Sequence, residues 1–266
     1  RTLLANDPDP FNRWEAGQRL ALRSAIKSIA SNADFTGAKP LNDEYLGAMR
    51  AVLRHPTLDA AFKELVLTLP SETYIAEQLD VVDPQRIHAV REAMRAQLAT
   101  DLQADWQWAF EAHQASGAYR PDATSAGRRA LAGMALSMLC LAAVQTGDTV
   151  WPGKALQRFK DAGNMTDRAN ALQALVSSGH PLATNALTRF HALFQREELV
   201  LDKWFAIQAG APDKGGQVLP AVRQLLTHPD FHIKNPNRAR SLIFTFCNAN
   251  PAGFHRTDAA GYVFWA

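Results

Sequence analysis

Apolar and small residues recur every three or four positions along almost the whole of this chain, and that period limits what it can fold into. From Trp14 onward, Gly17, Leu20, Ala21, Ser24, Ala25 and Ser28 share one face of a helix, widened by Leu22, Ile26 and Ile29. No run of five or more residues alternates strictly with β-branched enrichment, so few or no strands are expected. The expected class is all-α. The longest apolar run, residues 130–144 (ALAGMALSMLCLAAV), falls short of the roughly 20 residues that span a bilayer. With Arg128-Arg129 directly before it, it reads as a helix enclosed by other helices.

Breakers cut this pattern into helices of about ten to twenty residues. The expected linkers are residues 33–41, 54–58, 68–72, 81–84, 116–122, 145–153, 162–166, 177–182, 209–216 and 227–237. Asp83 before Pro84 combines an N-cap acceptor with proline at the first helical position, and Ser71 and Thr166 likewise precede helix-forming runs. His55-Pro56, His180-Pro181 and His228-Pro229 each follow an apolar helix. A histidine near the helix end suits the negative pole of the dipole and the proline stops continuation, which accounts for these pairs without a metal. No repeat of fixed period is visible, so the arrangement expected is an irregular solenoid of stacked antiparallel helix pairs, armadillo- or HEAT-like.

Charge and cysteine content narrow the class. A formal net charge of +2 gives no global field towards nucleic acid or a membrane surface, and neither is an expected partner. The two cysteines, Cys140 and Cys247, sit far apart in apolar runs and read as reduced, buried thiols of an intracellular protein. With no basic, cleavable leader pattern at the start, the expected location is the cytoplasm.

Signatures of chemistry are few. Gly215-Gly216 has no following Lys-Ser/Thr, no G-x-S-x-G elbow occurs, and neither cysteine lies in a C-x-x-C pair. His228 and His232 have the i, i+4 spacing of a helical zinc site, but Pro229 biases His228 out of the helix and no Glu follows it. No metal ligand is therefore expected. Glu197-Glu198 and Asp101/Asp105 read as solvated helix faces, and Trp106, Trp108 and Phe110 as packing.

The most unusual stretch is HIKNPNRARSLIFTFCNANPAGFH, residues 232–255. Around it, from Arg223 to Arg256, Arg223, Lys234, Arg238, Arg240 and Arg256 face a single acidic residue, Asp230. Asn235-Pro236-Asn237 should start a helix, which puts Arg238 and Arg240 in its first turn. Cations there oppose the helix dipole at a cost of about 0.3–1 kcal/mol each. A carboxylate-binding site explains that choice; so does pairing of one arginine with a neighbouring acid while the other is solvated.

Four blocks carry a family resemblance: NDPDPFNRWEAGQ (residues 6–18), DKWFAIQA (202–209), IKNPNRARSLI (233–243) and NPAGFHRTDAAGYVF (250–264). In that order, with family-like text between them at residues 67–93 and 164–175, they resemble the C-terminal domain of bacterial aminopeptidase N. This is the alanyl aminopeptidase group of zinc metallo-aminopeptidases. The resemblance spans essentially the whole chain. It implies a superhelical all-α domain that caps a catalytic domain, encloses a cavity over its active site and gates access of peptide substrates.

In that family the zinc is held by H-E-x-x-H with a downstream Glu, and a G-A-M-E-N segment grips the substrate amine, all in an upstream catalytic domain. This sequence contains none of these, so the resemblance implies no cofactor and no catalytic residue here, and inactivity without the upstream partner. The N-P-N-R-x-R segment matches residues 235–240. The resemblance thereby assigns Arg240, and more weakly Arg238, to the distal, C-terminal side of a bound peptide.

The same resemblance makes residues 1–10 a linker from the upstream domain and residues 11–266 the helical domain, shortened at its end where the family continues for several helices. It also suggests that Arg13 pairs across the domain boundary. The alternative function, an independent helical-repeat module binding a protein partner, uses the same fold without the enzyme.

Overall fold

The structure, a computed structural model, describes residues 2–31, 37–115 and 117–266. Residues 33–36 of one expected linker and residue 116 of another lie outside that set. All regular structure among the described residues is helical. The chain divides into two compact units, residues 1–174 and 175–266.

The first unit comprises α1 (Thr2–Asn6), α2 (Pro10–Ala30), α3 (Asp43–Arg54), α4 (Ala60–Leu67), α5 (Glu72–Ala76), α6 (Pro84–Asp101), α7 (Gln103–Ala112), α8 (Ala123–Thr146), α9 (Val150–Asp161) and most of α10 (Met165–Ser178). Its centre is α8, the run 130–144 extended in both directions, against which α4, α6, α7 and α9 pack. Leu131, Ala135, Leu139, Cys140 and Ala142 of α8 have no exposed surface, which is where an apolar helix without a polar face must go. Among the described residues α8 is the one helix long and apolar enough to cross a membrane.

Local signals set most helix starts. Asp83 accepts the Arg86 N–H at 3.0 Å with Pro84 at the first helical position, and Ser71 accepts from Tyr74 at 3.1 Å. For α10 the acceptor is Asn164, bonded to the Asp167 N–H at 2.9 Å; Thr166, the expected cap, already lies inside the helix. The expected linker 145–153 is shorter, because Gly147 ends α8 in the left-handed region (φ 75°) and α9 starts at Val150. Pro152 fits inside that first turn, where no intrahelical N–H partner is needed.

The segment 1–10 contains α1, whose Leu4 is fully buried; its Cδ1 lies 3.3 Å from where a side chain at Gly17 of α2 would begin. Arg13 is buried, with Nε donating to the Asp7 carbonyl at 2.5 Å, while its Nη1 is buried without a partner. Asp105 is no solvated carboxylate: it is buried and receives Arg50 Nε at 2.9 Å and Arg54 Nε at 2.8 Å. Asp101 pairs with Lys39 at 3.0 Å. Trp106 donates its indole N–H to the Leu98 carbonyl, and Phe110 stands edge-on to Trp151.

The second unit holds α11 (Leu182–Phe194), α12 (Glu198–Ala209), α13 (Val218–Leu226), α14 (Pro236–Ala239), a π-helical turn (Arg240–Phe244), α15 (Thr245–Ala249), α16 (Pro251–Phe254) and α17 (Ala260–Trp265). Here α12 is central, packing on α11, α13, the π turn and α15. Phe205 of α12, Leu242 and Phe246 are fully buried.

The three His-Pro pairs share one device. Each histidine lies just beyond its helix, and its Nδ1 accepts the N–H two residues on: Thr57 at 3.3 Å, Leu182 at 3.2 Å and Asp230 at 3.2 Å. The intervening proline has no N–H to offer, so the imidazole satisfies the first donor after it. The helix ends fall where expected, and each histidine adds a hydrogen bond to the turn that follows.

Candidate functional site

The unusual stretch begins as its sequence requires. Asn235 Oδ1 accepts the N–H groups of Asn237 (3.1 Å) and Arg238 (3.3 Å), and Pro236 occupies the first helical position of α14. One residue past α14 the ladder slips to π spacing. The Thr245 N–H and hydroxyl both reach the Arg240 carbonyl, five residues back, the hydroxyl at 3.1 Å. π turns of this kind are uncommon and concentrate at functional positions.

The structure separates the two candidate arginines. Arg238 is 1% exposed, and each of its guanidinium nitrogens donates to the protein. Nε meets Asp202 Oδ1 at 2.6 Å, Nη2 meets Glu198 Oε2 at 2.7 Å, and Nη1 meets the Asp230 carbonyl. The guanidinium also lies over the Phe205 ring, 5.1 Å from its centre. Glu198 and Asp202 reach it together because they are four residues apart on one face of α12. Glu198 is thus an ion-pair partner, not merely part of a solvated face. The dipole cost expected for a first-turn cation is offset, for Arg238, by two carboxylates.

Arg240 lies on the other side of the segment. It is exposed, with no ion pair or side-chain hydrogen bond to its guanidinium among the described residues. Phe244, four residues on, shares that outer face and is 60% exposed, while Leu242 between them points into the core. An exposed guanidinium and an exposed aromatic residue on one helical segment suit a carboxylate attached to an apolar group.

Close to the Arg238 clamp lies a group that sequence spacing did not reveal. His191 Nε2 of α11 is 2.6 Å from Asp230 Oδ2, and His228 Nδ1 is 3.7 Å from the same oxygen. The His191 and His228 rings are 5.0 Å apart, and both contact Trp204. Burial holds His228 below the usual histidine pKa, against the pull of Asp230, so the ring is neutral at pH 7 and Nδ1 is free to accept. His232, the partner suggested by the i, i+4 spacing, is exposed and outside this group. His191, 37 residues from His228, is visible only once α11 is folded beside the loop after α13.

The family described as "Domain of unknown function (DUF3458_C) ARM repeats" matches residues 1–266. The chain belongs to that family. Its all-α, armadillo-like class follows, as the helical period indicates. The resemblance carried by the four sequence blocks is borne out as well. The chain is 38% identical over 264 residues to aminopeptidase N of Caulobacter vibrioides, covering 99% of this chain and 29% of that protein. It is 35% identical over 262 residues to aminopeptidase N of Escherichia coli, with 98% and 29% covered. Among solved structures, Legionella pneumophila aminopeptidase A in complex with aspartic acid matches with a TM-score of 0.82 at 27% identity. That match covers 98% of this chain and 30% of that one. This ARM-repeat chain therefore spans under a third of the length of the aminopeptidases it matches.

Proposed function

We propose that this chain is the non-catalytic helical domain of a larger, zinc-dependent aminopeptidase that removes N-terminal residues from peptides. In this reading it forms part of the wall of the chamber over the active site, gates entry of peptides and orients them. Its partners are the catalytic part of the same polypeptide and the peptide substrate. The catalytic zinc is not assigned to this chain: its sequence has no H-E-x-x-H, and two imidazoles with one aspartate differ from that donor set. The protein is taken to be cytoplasmic, which its two free cysteines support.

The observation that carries the reading is the contrast between the arginines. Arg238, held by Asp202 and Glu198, fixes the segment, and Arg240 presents from it an exposed guanidinium with no ion pair among the described residues. A peptide's terminal carboxylate is the complementary group, and capturing it places the far end of the substrate relative to the scissile bond. Steady-state kinetics of the complete aminopeptidase test this. Arg240→Ala should raise KM for tripeptides about tenfold with little change in kcat, while an uncharged chromogenic amide is unaffected. Unchanged tripeptide kinetics remove Arg240 from substrate handling. Turnover by the 266-residue chain alone overturns the non-catalytic assignment. A folded chain that captures a protein partner while full-length activity ignores Arg240 favours the interaction module.

A further inference from the structure

We propose that His191, His228 and Asp230 form a site for a divalent transition-metal ion of the zinc type. Their ligand atoms all lie within 4.8 Å of one another, and they come from two separate segments, α11 and the loop after α13. Among the described residues no other group of three histidine, cysteine or acidic side chains has that convergence.

Two of the three ligand separations suit an ion after small side-chain rotations, and the third is within 4.8 Å. Zinc takes nitrogen and oxygen ligands at about 2.0–2.2 Å, which places tetrahedral ligand atoms roughly 3.3 Å apart. The 2.6 Å contact of His191 Nε2 with Asp230 Oδ2 opens by less than 1 Å to reach that value, and the 3.7 Å contact of His228 Nδ1 closes slightly. The His228 nitrogen exchanges its bond from the Asp230 N–H, at 3.2 Å, for the metal. Two imidazoles and one carboxylate select zinc, cobalt or nickel over calcium or magnesium, whose sites are built from oxygen.

The surroundings favour a cation and fix the rings. Trp204 lies 5.0 Å from the His191 ring and 5.2 Å from that of His228, with Phe205 5.9 Å from His228, so aromatic walls limit their rotation. Arg238 holds the Asp230 carbonyl, pinning the loop that supplies two of the three ligands. Arg238 is paired with Asp202 and Glu198, so the Asp230 carboxylate is left to the two imidazoles and a cation between them. His191, His228 and Asp230 are each part-exposed, which leaves a fourth position for water. A bound ion ties α11 to the loop leading into α14, and so stiffens the segment that carries Arg240. The assignment does not depend on the role proposed for Arg240.

The test is a titration of the chelator-treated 266-residue chain with Co2+, followed by its visible ligand-field absorption, and with Zn2+ by calorimetry. One equivalent should bind. Asp230→Asn and His191→Gln should each lower affinity more than about tenfold, with His232→Gln unchanged. A wild-type chain that binds no stoichiometric metal overturns the proposal and leaves a hydrogen-bonded His–Asp clasp. Binding that survives both substitutions also overturns it, placing the metal elsewhere. Should a substituted chain lose its helical circular dichroism, X-ray absorption of the wild-type zinc complex decides. Two imidazole ligands support the site, and a shell without imidazole overturns it.

Discussion

Arg238 Nε lies 2.6 Å from Asp202 Oδ1, with the arginine side chain 1% and the aspartate 12% exposed. This buried pair joins α12 to the start of the segment that carries Arg240. Removing one partner strands the other charge, so Asp202→Ala should cost about 3–5 kcal/mol. Glu198, whose side chain is 73% exposed, should matter far less, under about 1 kcal/mol for Glu198→Ala. Arg238→Lys should not restore the wild type, because an ammonium cannot serve three acceptors in one plane. Amide hydrogen exchange in α12 and α14 reads all three, and equal protection in Asp202→Ala and wild type refutes the clamp.

Gly127 of α8 packs directly against Ala61 of α4. A Cβ there would meet the Ala61 backbone nitrogen at 2.9 Å and the Ala61 Cβ at 3.0 Å. Neither the backbone atom nor a β-carbon can rotate away, so Gly127→Ala should destabilise the first unit by about 1–3 kcal/mol. Adding Ala61→Gly should recover part of that loss, since it relieves only the side-chain contact. Urea unfolding of the single and double variants distinguishes this from a generic helix-propensity gain, which predicts stabilisation.

What the sequence made legible was local. Asp83-Pro84 and Asn235-Pro236 start helices because acceptor, proline and N–H groups lie within four residues of one another. Asn164 and Thr166 compete for one cap two residues apart, and sequence alone does not rank them. Asp105 and Glu198 read as solvated from the sequence because their arginines are 51 and 55 positions away for Asp105 and 40 for Glu198. Pairing at such distances is a product of helix packing, not of spacing. The i, i+4 placement of Glu198 and Asp202 on α12 was the available hint that one helix face awaited a cation. The π turn at Arg240 left no such hint.

Cys140 is fully buried in α8, and burial pushes its thiol pKa from 9.0 up to about 12. The folded state therefore keeps a proton that the unfolded chain releases. The associated stability is fully present below about pH 9 and is lost as pH rises towards 12, by about 1.4 kcal/mol per unit. Tyr45, also raised by burial, adds to the loss above its ordinary value. Cys140→Ala should flatten the alkaline limb of a urea-stability profile between about pH 9 and 11. A profile as steep as wild type assigns that limb to Tyr45 or other groups. Iodoacetamide at pH 8 should label half-buried Cys247 faster than Cys140 in the folded chain.

His180 tests the His-Pro device away from the proposed metal group. Its Nδ1 accepts the Leu182 N–H at 3.2 Å, the first donor after Pro181. His180→Ala leaves that N–H without its acceptor and should cost about 0.5–1.5 kcal/mol. His180→Asn supplies an oxygen at similar reach and should recover most of it. Thermal melts of the two variants check this, and equal losses for Ala and Asn point to ring packing instead.

Asn235 links the stability of α14 to the orientation of Arg240. Its side chain accepts two N–H groups, from Asn237 and Arg238, and so fixes where the helix begins. Asn235→Ala should cost about 0.5–2 kcal/mol, and Asn235→Asp should preserve the cap. A displaced first turn shifts the whole register that carries Arg238 into its carboxylates and Arg240 outwards. If Arg240 handles substrate as proposed, Asn235→Ala in the complete aminopeptidase should raise KM for tripeptides in the same direction as Arg240→Ala, without adding to it in the double variant. Additive effects mean that the cap and Arg240 act independently, and that the segment's register does not position the guanidinium.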